Sequence, residues 1–125
     1  MAINVEWYSD SAVLVTYTAS ITAYDQHLAN LQFIAYLDAA SQPLHVIADW
    51  RNANNYPIDF DIVPDMLRML RHKNMGWIVV IGMNNVLRFW AEMFTRMAGL
   101  RYTTRDSVAE AAEFLSIKEK QERTA

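Results

Sequence analysis

The side chains with the most chemical scope fall in two polar stretches, Asp49, Arg51, Asn52, Asn54 and Asn55 in the first and Asn84 and Asn85 in the second. Each follows an apolar run, residues 44–48 and 77–82, of the kind a strand covered on both faces uses. In open α/β sheets, ligands and partners gather beyond the carboxyl ends of the parallel strands. Amides, one guanidinium and the N-termini of two following helices would suit a small anion or a peptide carboxylate. Asparagine is also an ordinary turn and cap residue that tolerates left-handed backbone, and that simpler reading competes with a ligand site.

Other candidates are weaker. Asp59, Asp61 and Asp65 are close in sequence, but carboxylates are favoured at a helix N-terminus without any metal, and no histidine lies nearby to complete a ligand set. Helix capping is predicted for them, and no metal. His27 borders a helical stripe, His45 alternates within a strand and His72 lies near a helix end, so all three read as packed or structural. The chain has no cysteine, which excludes disulfides, thiolate catalysis and cysteine-held metal clusters. It also lacks a Gly-x-Ser-x-Gly elbow, a Gly-x-Gly-x-x-Gly turn, a P-loop and a His-Glu-x-x-His pair. No catalytic residue and no cofactor is predicted, and an enzyme is not expected.

The elements that position these residues follow from periodicity. Ile3, Val5 and Trp7 alternate with Asn4 and Glu6, and after a turn at residues 9–11 a second β-branched run spans 12–17, predicting a hairpin. Thr22 with Asp25 resembles a capping box opening a helix to about Ala40, whose stripe is Tyr24, Leu28, Leu31 and Ala35. The strand at 44–48 is expected to surface at Asp49 and to feed a loop of about ten residues, 51–60. That length follows because Pro64 fits only the first turn of the next helix. That helix runs to about His72, and a strand at 77–82 follows. A third helix, 86–98, is predicted to bury Val86, Trp90, Met93 and Met97. A short strand at 100–103 and a helix from Asp106 with Val108, Ala111, Ala112 and Leu115 inward complete the order ββαβαβαβα. Strands alternating with helices require right-handed crossovers and a mostly parallel α/β sheet, here with an antiparallel N-terminal hairpin strand. One domain over residues 1–117 is expected, with 118–125 as a charged frayed end or tail.

At 125 residues the chain can bury about two-thirds of its unfolded surface in one core. A net charge of −3 and no basic cluster before the C-terminal stretch argue against nucleic acid. No apolar run approaches membrane-spanning length, and no basic region leads into an apolar core at the N-terminus, so a cytoplasmic protein is expected.

The element order, the strands at 44–49 and 77–82, and the closing run Tyr102-Thr103-Thr104-Arg105-Asp106-Ser107-Val108-Ala109-Glu110-Ala111 resemble the STAS family, sulfate-transporter and anti-sigma-factor-antagonist domains, especially its SpoIIAA-like branch. The resemblance runs over residues 3–117. It implies a small non-enzymatic protein that acts through protein partners, and in antagonist members a switch by phosphorylation of a serine at the start of the second helix. Asp49-Trp50-Arg51-Asn52 resembles the acidic strand end of that pattern, and the phosphorylated segment would fall near residues 56–59. No Ser or Thr occurs from Arg51 through Phe94, so the acceptor is missing.

The third helix carries more apolar surface than docking on one sheet requires. Phe89 flanks its stripe, with Leu87 and Phe94 at the other border. Either the C-terminal helix covers these residues or a second copy does. A two-fold homodimer with Phe89 near its centre is the expectation carried forward.

Overall fold

The structure is a computed structural model that describes residues 2–55 and 63–124. It shows β1 (Ile3–Ser9), β2 (Ala12–Ala19), α1 (Ala23–Ala39), β3 (Leu44–Ala53), α2 (Val63–Leu70), β4 (Met75–Ile81), α3 (Asn85–Ala98), β5 (Tyr102–Arg105) and α4 (Val108–Thr124). The strands form one sheet in the order β1-β2-β3-β4-β5, with β1 antiparallel to β2 and every other neighbouring pair parallel. This is the expected α/β order.

Two cores lie on opposite faces. The larger joins Val13, Val15, Val46, Ala48, Ile78 and Val80 of the sheet to Ala29, Phe33 and Leu37 of α1 and Leu70 of α2. The smaller joins Ala12, Ile47, Val79 and Ile81 to Ala111 and Leu115 of α4. Central strands therefore read as unbroken apolar runs, since both sets of alternating side chains are covered. Val13, Leu37, Ile47, Val79 and Ile81 are wholly enclosed, and each such side chain contributes about 1.5–3 kcal/mol. Tyr102 packs against the larger core, and the charges of Glu92 and Arg88 act on its hydroxyl, which brings α3 to the face that α1 occupies.

Caps fix two helix starts. Thr22 and Asp25 exchange side-chain-to-backbone hydrogen bonds as a complete capping box. The Ser107 hydroxyl accepts the Glu110 N–H while the Glu110 carboxylate accepts that of Asp106.

Three expectations are corrected. The stripe of Tyr24, Leu28, Leu31 and Ala35 faces outward, and α1 buries Gln26, Ala29, Asn30, Phe33 and Leu37 instead. Hydrogen bonding explains how a polar pair reaches the core: Gln26 Nε2 donates to Asn30 Oδ1 at 2.8 Å, and Gln26 also bonds Tyr17, which stacks on Trp50 with centroids 3.6 Å apart. Burial pushes the Tyr17 hydroxyl up to about 12, against that hydrogen bond. Met93 and Met97 of α3 are exposed, not buried against the sheet.

The third correction concerns the charged stretch from Lys118. It is not a tail but the continuation of α4, held by Glu119 to Ser11 and His45 and by Glu122 to Trp77 and Arg101. Polar anchors there replace the apolar stripe that sequence periodicity looks for. Among the described residues, no helix is long and apolar enough to cross a membrane.

Candidate functional site

The site predicted at the strand ends is built differently from a loop. β3 does not surface at Asp49. Its neighbour β2 is long enough to keep pairing as far as Ala19 with Ala53, so Arg51 and Asn52 belong to the strand. Asp49 is buried, 6% exposed.

Between the pairs Thr16–Asp49 and Thr18–Asn52, β3 carries one extra residue, a β-bulge. A bulge takes an N–H out of the ladder, and here the Asp49 carboxylate accepts it: Arg51 N donates to Oδ1 at 3.1 Å. The Arg51 side chain closes on the same carboxylate, Nε to Oδ1 at 3.0 Å and Nη2 to Oδ2 at 2.9 Å, a forked charge-assisted pair. Burial alone would raise the Asp49 carboxyl. The hydrogen bonds and charge of Arg51 override it and hold the group below its ordinary value.

Gly82, the residue after β4, sits against this corner with φ of +78°. A Cβ there would lie 2.6 Å from Arg51 Cγ and 2.8 Å from its backbone N, so glycine is required for both its backbone conformation and the close approach.

The remaining predicted residues separate. Asn55 leaves the corner altogether: its Oδ1 accepts the Ile21 N–H at 2.6 Å and its Nδ2 donates to the Ile21 carbonyl at 2.8 Å, pinning the entry to α1. Asn54 donates its backbone N–H to Ala19, and exposed Asn52 pairs with Thr18. Asn84 supplies the carbonyl for the first helical bond of α3, to Arg88 N, and Asn85 Oδ1 accepts from Arg88 Nη2 at 3.1 Å. Asp49, Arg51 and Gly82 therefore form one corner, while Asn54 and Asn55 secure the loop leading from β2 into α1. Asp59 and Asp61 lie outside the described residues, as do the residues 56–59 where the phosphorylated segment would fall. Asp65 pairs with His27 across α1 and α2.

Sequence reasoning missed what the histidines do. Each faces a carboxylate: His27 meets Asp65, His72 Nε2 lies 2.8 Å from Asp38 Oδ1, and His45 Nε2 lies 3.4 Å from Glu119 Oε1. The first two fasten α1 to α2 and the turn beyond it, and the third fastens α4 to the sheet. At His45 the order of a catalytic triad is not met, since Ser11 bonds the Glu119 carboxylate and not the imidazole. Among the described residues no cluster of three metal-ligating side chains occurs.

On α3, Phe89, Met93 and Met97 recur every fourth residue and are 58%, 39% and 77% exposed, with Arg88, Glu92 and Arg96 beside them, also exposed. The side chains of Leu87, Trp90 and Phe94 lie outside the described ones.

A mixed five-stranded sheet with one hairpin edge and three crossover helices defines the class: an α/β domain of SpoIIAA-like fold, as two solved structures confirm. An uncharacterized protein of the DUF3478 family with a SpoIIAA-like fold, from Shewanella loihica PV-4, superposes with a TM-score of 0.67. It is 15% identical over 91% of this chain and 92% of its own. The Bacillus cell fate determinant SpoIIAA, in its phosphorylated form, gives 0.66 at 12% identity over 91% of this chain and 99% of its own. No family model and no curated protein matches the sequence.

Proposed function

We propose that this chain is a non-enzymatic regulatory domain that acts through protein contacts made by α3, the simplest of them with a second copy of itself. The observation that carries this reading is the exposed stripe of Phe89, Met93 and Met97. Aromatic and methionine side chains are what interface cores favour, and Arg88, Glu92 and Arg96 supply a polar rim. A cell fate determinant of the same fold is a precedent for a regulatory role.

The domain works without the serine switch, because residues 51–94 hold no hydroxyl acceptor except Tyr56. A small-anion module at the strand ends has less support: Arg51 already spends its fork on Asp49, and Asn55 spends its amide on Ile21. Photo-crosslinking of the purified protein from a benzophenone side chain at position 89 tests the reading. A product of twice the chain mass is expected, and crosslinks confined to one chain would contradict it.

A further inference from the structure

Among the described residues, no strand pairs with the outer side of β1, the N-terminal edge of the sheet beside α1. Thr18 N donates to the Ala2 carbonyl at 2.7 Å, which sets the alternation along β1: Asn4 and Glu6 turn their backbone toward β2, and Ile3, Val5 and Trp7 turn theirs outward. The Val5 carbonyl is met by a long 3.4 Å hydrogen bond from Gln32 of α1, which confirms that it lies off the ladder. Between this edge and α1 runs a hollow lined by Ile3, Asp25, Leu28, Ala29 and Gln32. Leu28, which lines it, is 38% exposed; Leu31 of α1 and Trp7 at the far end of β1, whose ring packs on Tyr36, are exposed at 42% and 52%. Natural sheets usually blunt such an edge with charged side chains, lysine above all, with proline, a bulge or a covering element; β1 has neither lysine nor proline, its one charge is Glu6, and its irregularity lies only at the Trp7–Ser9 end.

Charge selects the occupant. All 11 Lys and Arg residues follow Trp50, whereas Glu6, Asp10, Asp25, Asp38 and Asp49 precede Arg51, so the hairpin and α1 carry acidic groups alone. Two copies meeting edge to edge would bring acid to acid. We propose that this groove takes an extended segment of a partner protein as a sixth strand, with apolar side chains directed into the hollow and, on the opposite face of the sheet, Lys or Arg directed toward Glu6. Main-chain hydrogen bonds supply affinity and alternate side chains supply specificity in such strand addition. The inference rests on the protein-contact reading above but uses a surface apart from α3.

A fluorescein-labelled alternating lysine–valine heptapeptide is the probe, with its glutamate–valine counterpart as control, both followed by anisotropy against the full chain. The lysine peptide is expected to bind at least about tenfold more tightly and to shift the amide resonances of Ile3, Val5 and Trp7. Leu28→Lys and Glu6→Lys, both at exposed positions, are each expected to weaken it, and Phe89→Glu to leave it unchanged. Equal binding of both peptides, no saturable binding, or shifts confined to β5 or α3 would overturn the proposal. So would Leu28→Lys dissociating a dimer of the chain, which would make the occupant a second copy. Loss of binding in Phe89→Glu alone would place the contact on α3.

Discussion

His45 Nδ1 accepts the backbone N–H of Trp77 at 2.8 Å, across the boundary between β3 and β4. The pairs Leu44–Met75 and Val46–Ile78 leave one extra residue on β4, so this N–H has left the ladder and the imidazole stands in for the missing strand carbonyl. Asp49 does the same for Arg51 at the bulge between β2 and β3. Two polar side chains buried in the sheet thus repair the irregularities on either side of β3, while a third register shift lies between β1 and β2 at Trp7–Ser9.

A pH dependence follows. Burial, the largest influence, holds the His45 imidazole below its ordinary value, Glu119 and Glu122 pull it upward, and Arg101 acts with burial. The unfolded chain protonates this histidine near its ordinary value of about 6.5 while the folded chain does not, so stability is full above that pH and declines as pH falls below it. Urea midpoints from pH 8 to pH 5 are expected to fall, and His45→Gln to flatten that slope. An unchanged slope in the variant would count against the assignment.

Gly76 carries the His45 ring over its α-carbon, and a Cβ there would run into Nδ1 and Cε1. The ring cannot retreat without losing the Trp77 bond, and the Leu44 carbonyl crowds the same space at 3.1 Å. Gly76→Ala should cost about 1–3 kcal/mol, as overpacking typically does. Chemical denaturation measures it, and a loss of less than about 0.5 kcal/mol, the range of an ordinary surface change, would contradict the close approach.

Asp49→Ala should cost about 1–3 kcal/mol, because it strands the Arg51 N–H inside the bulge. Since Arg51 holds the carboxyl below its ordinary value, this contribution is present above the unfolded value of about 3.9 and is lost as pH falls through the folded one. Differential scanning calorimetry at pH 7 checks the size, and an unchanged melting temperature would refute it.

The sheet was legible from the apolar runs and the Thr22–Asp25 capping box from short-range side-chain spacing, because both are encoded locally. Orientation was not. Tyr24, Leu28 and Leu31 read as an apolar stripe of α1, yet Gln26 and Asn30 are buried because they bond each other and Tyr17, on the preceding strand β2, bonds Gln26, a contact made only when α1 packs on the sheet. Arg51 and Asn52 were expected in a loop because their polarity hides that β2 pairs alongside them. The charged end of α4 was expected as a frayed helix end or a tail, and its anchoring could not be read because the partners, Ser11, His45, Trp77 and Arg101, lie in other elements. At the candidate site, residue types were visible but not their mutual engagement, which only the folded register creates.

Incubation with an anti-sigma-type serine kinase followed by phosphopeptide mapping should find no phosphoserine or phosphothreonine between Arg51 and Phe94, where neither residue occurs. Phosphate on Tyr56 would show a different acceptor serving the same switch and would overturn the reading of a domain without one.

Contact through α3 is tested most directly by sedimentation equilibrium of the native chain and of Phe89→Glu at micromolar concentration. Phe89 is 58% exposed, so the substitution falls mainly on solvent-facing surface, and an unchanged circular dichroism spectrum of the variant checks that the monomer stays folded. A dimer for the native chain and a monomer for the variant are the expected results. A monomeric native chain, or a dimer that survives the substitution, would contradict the account.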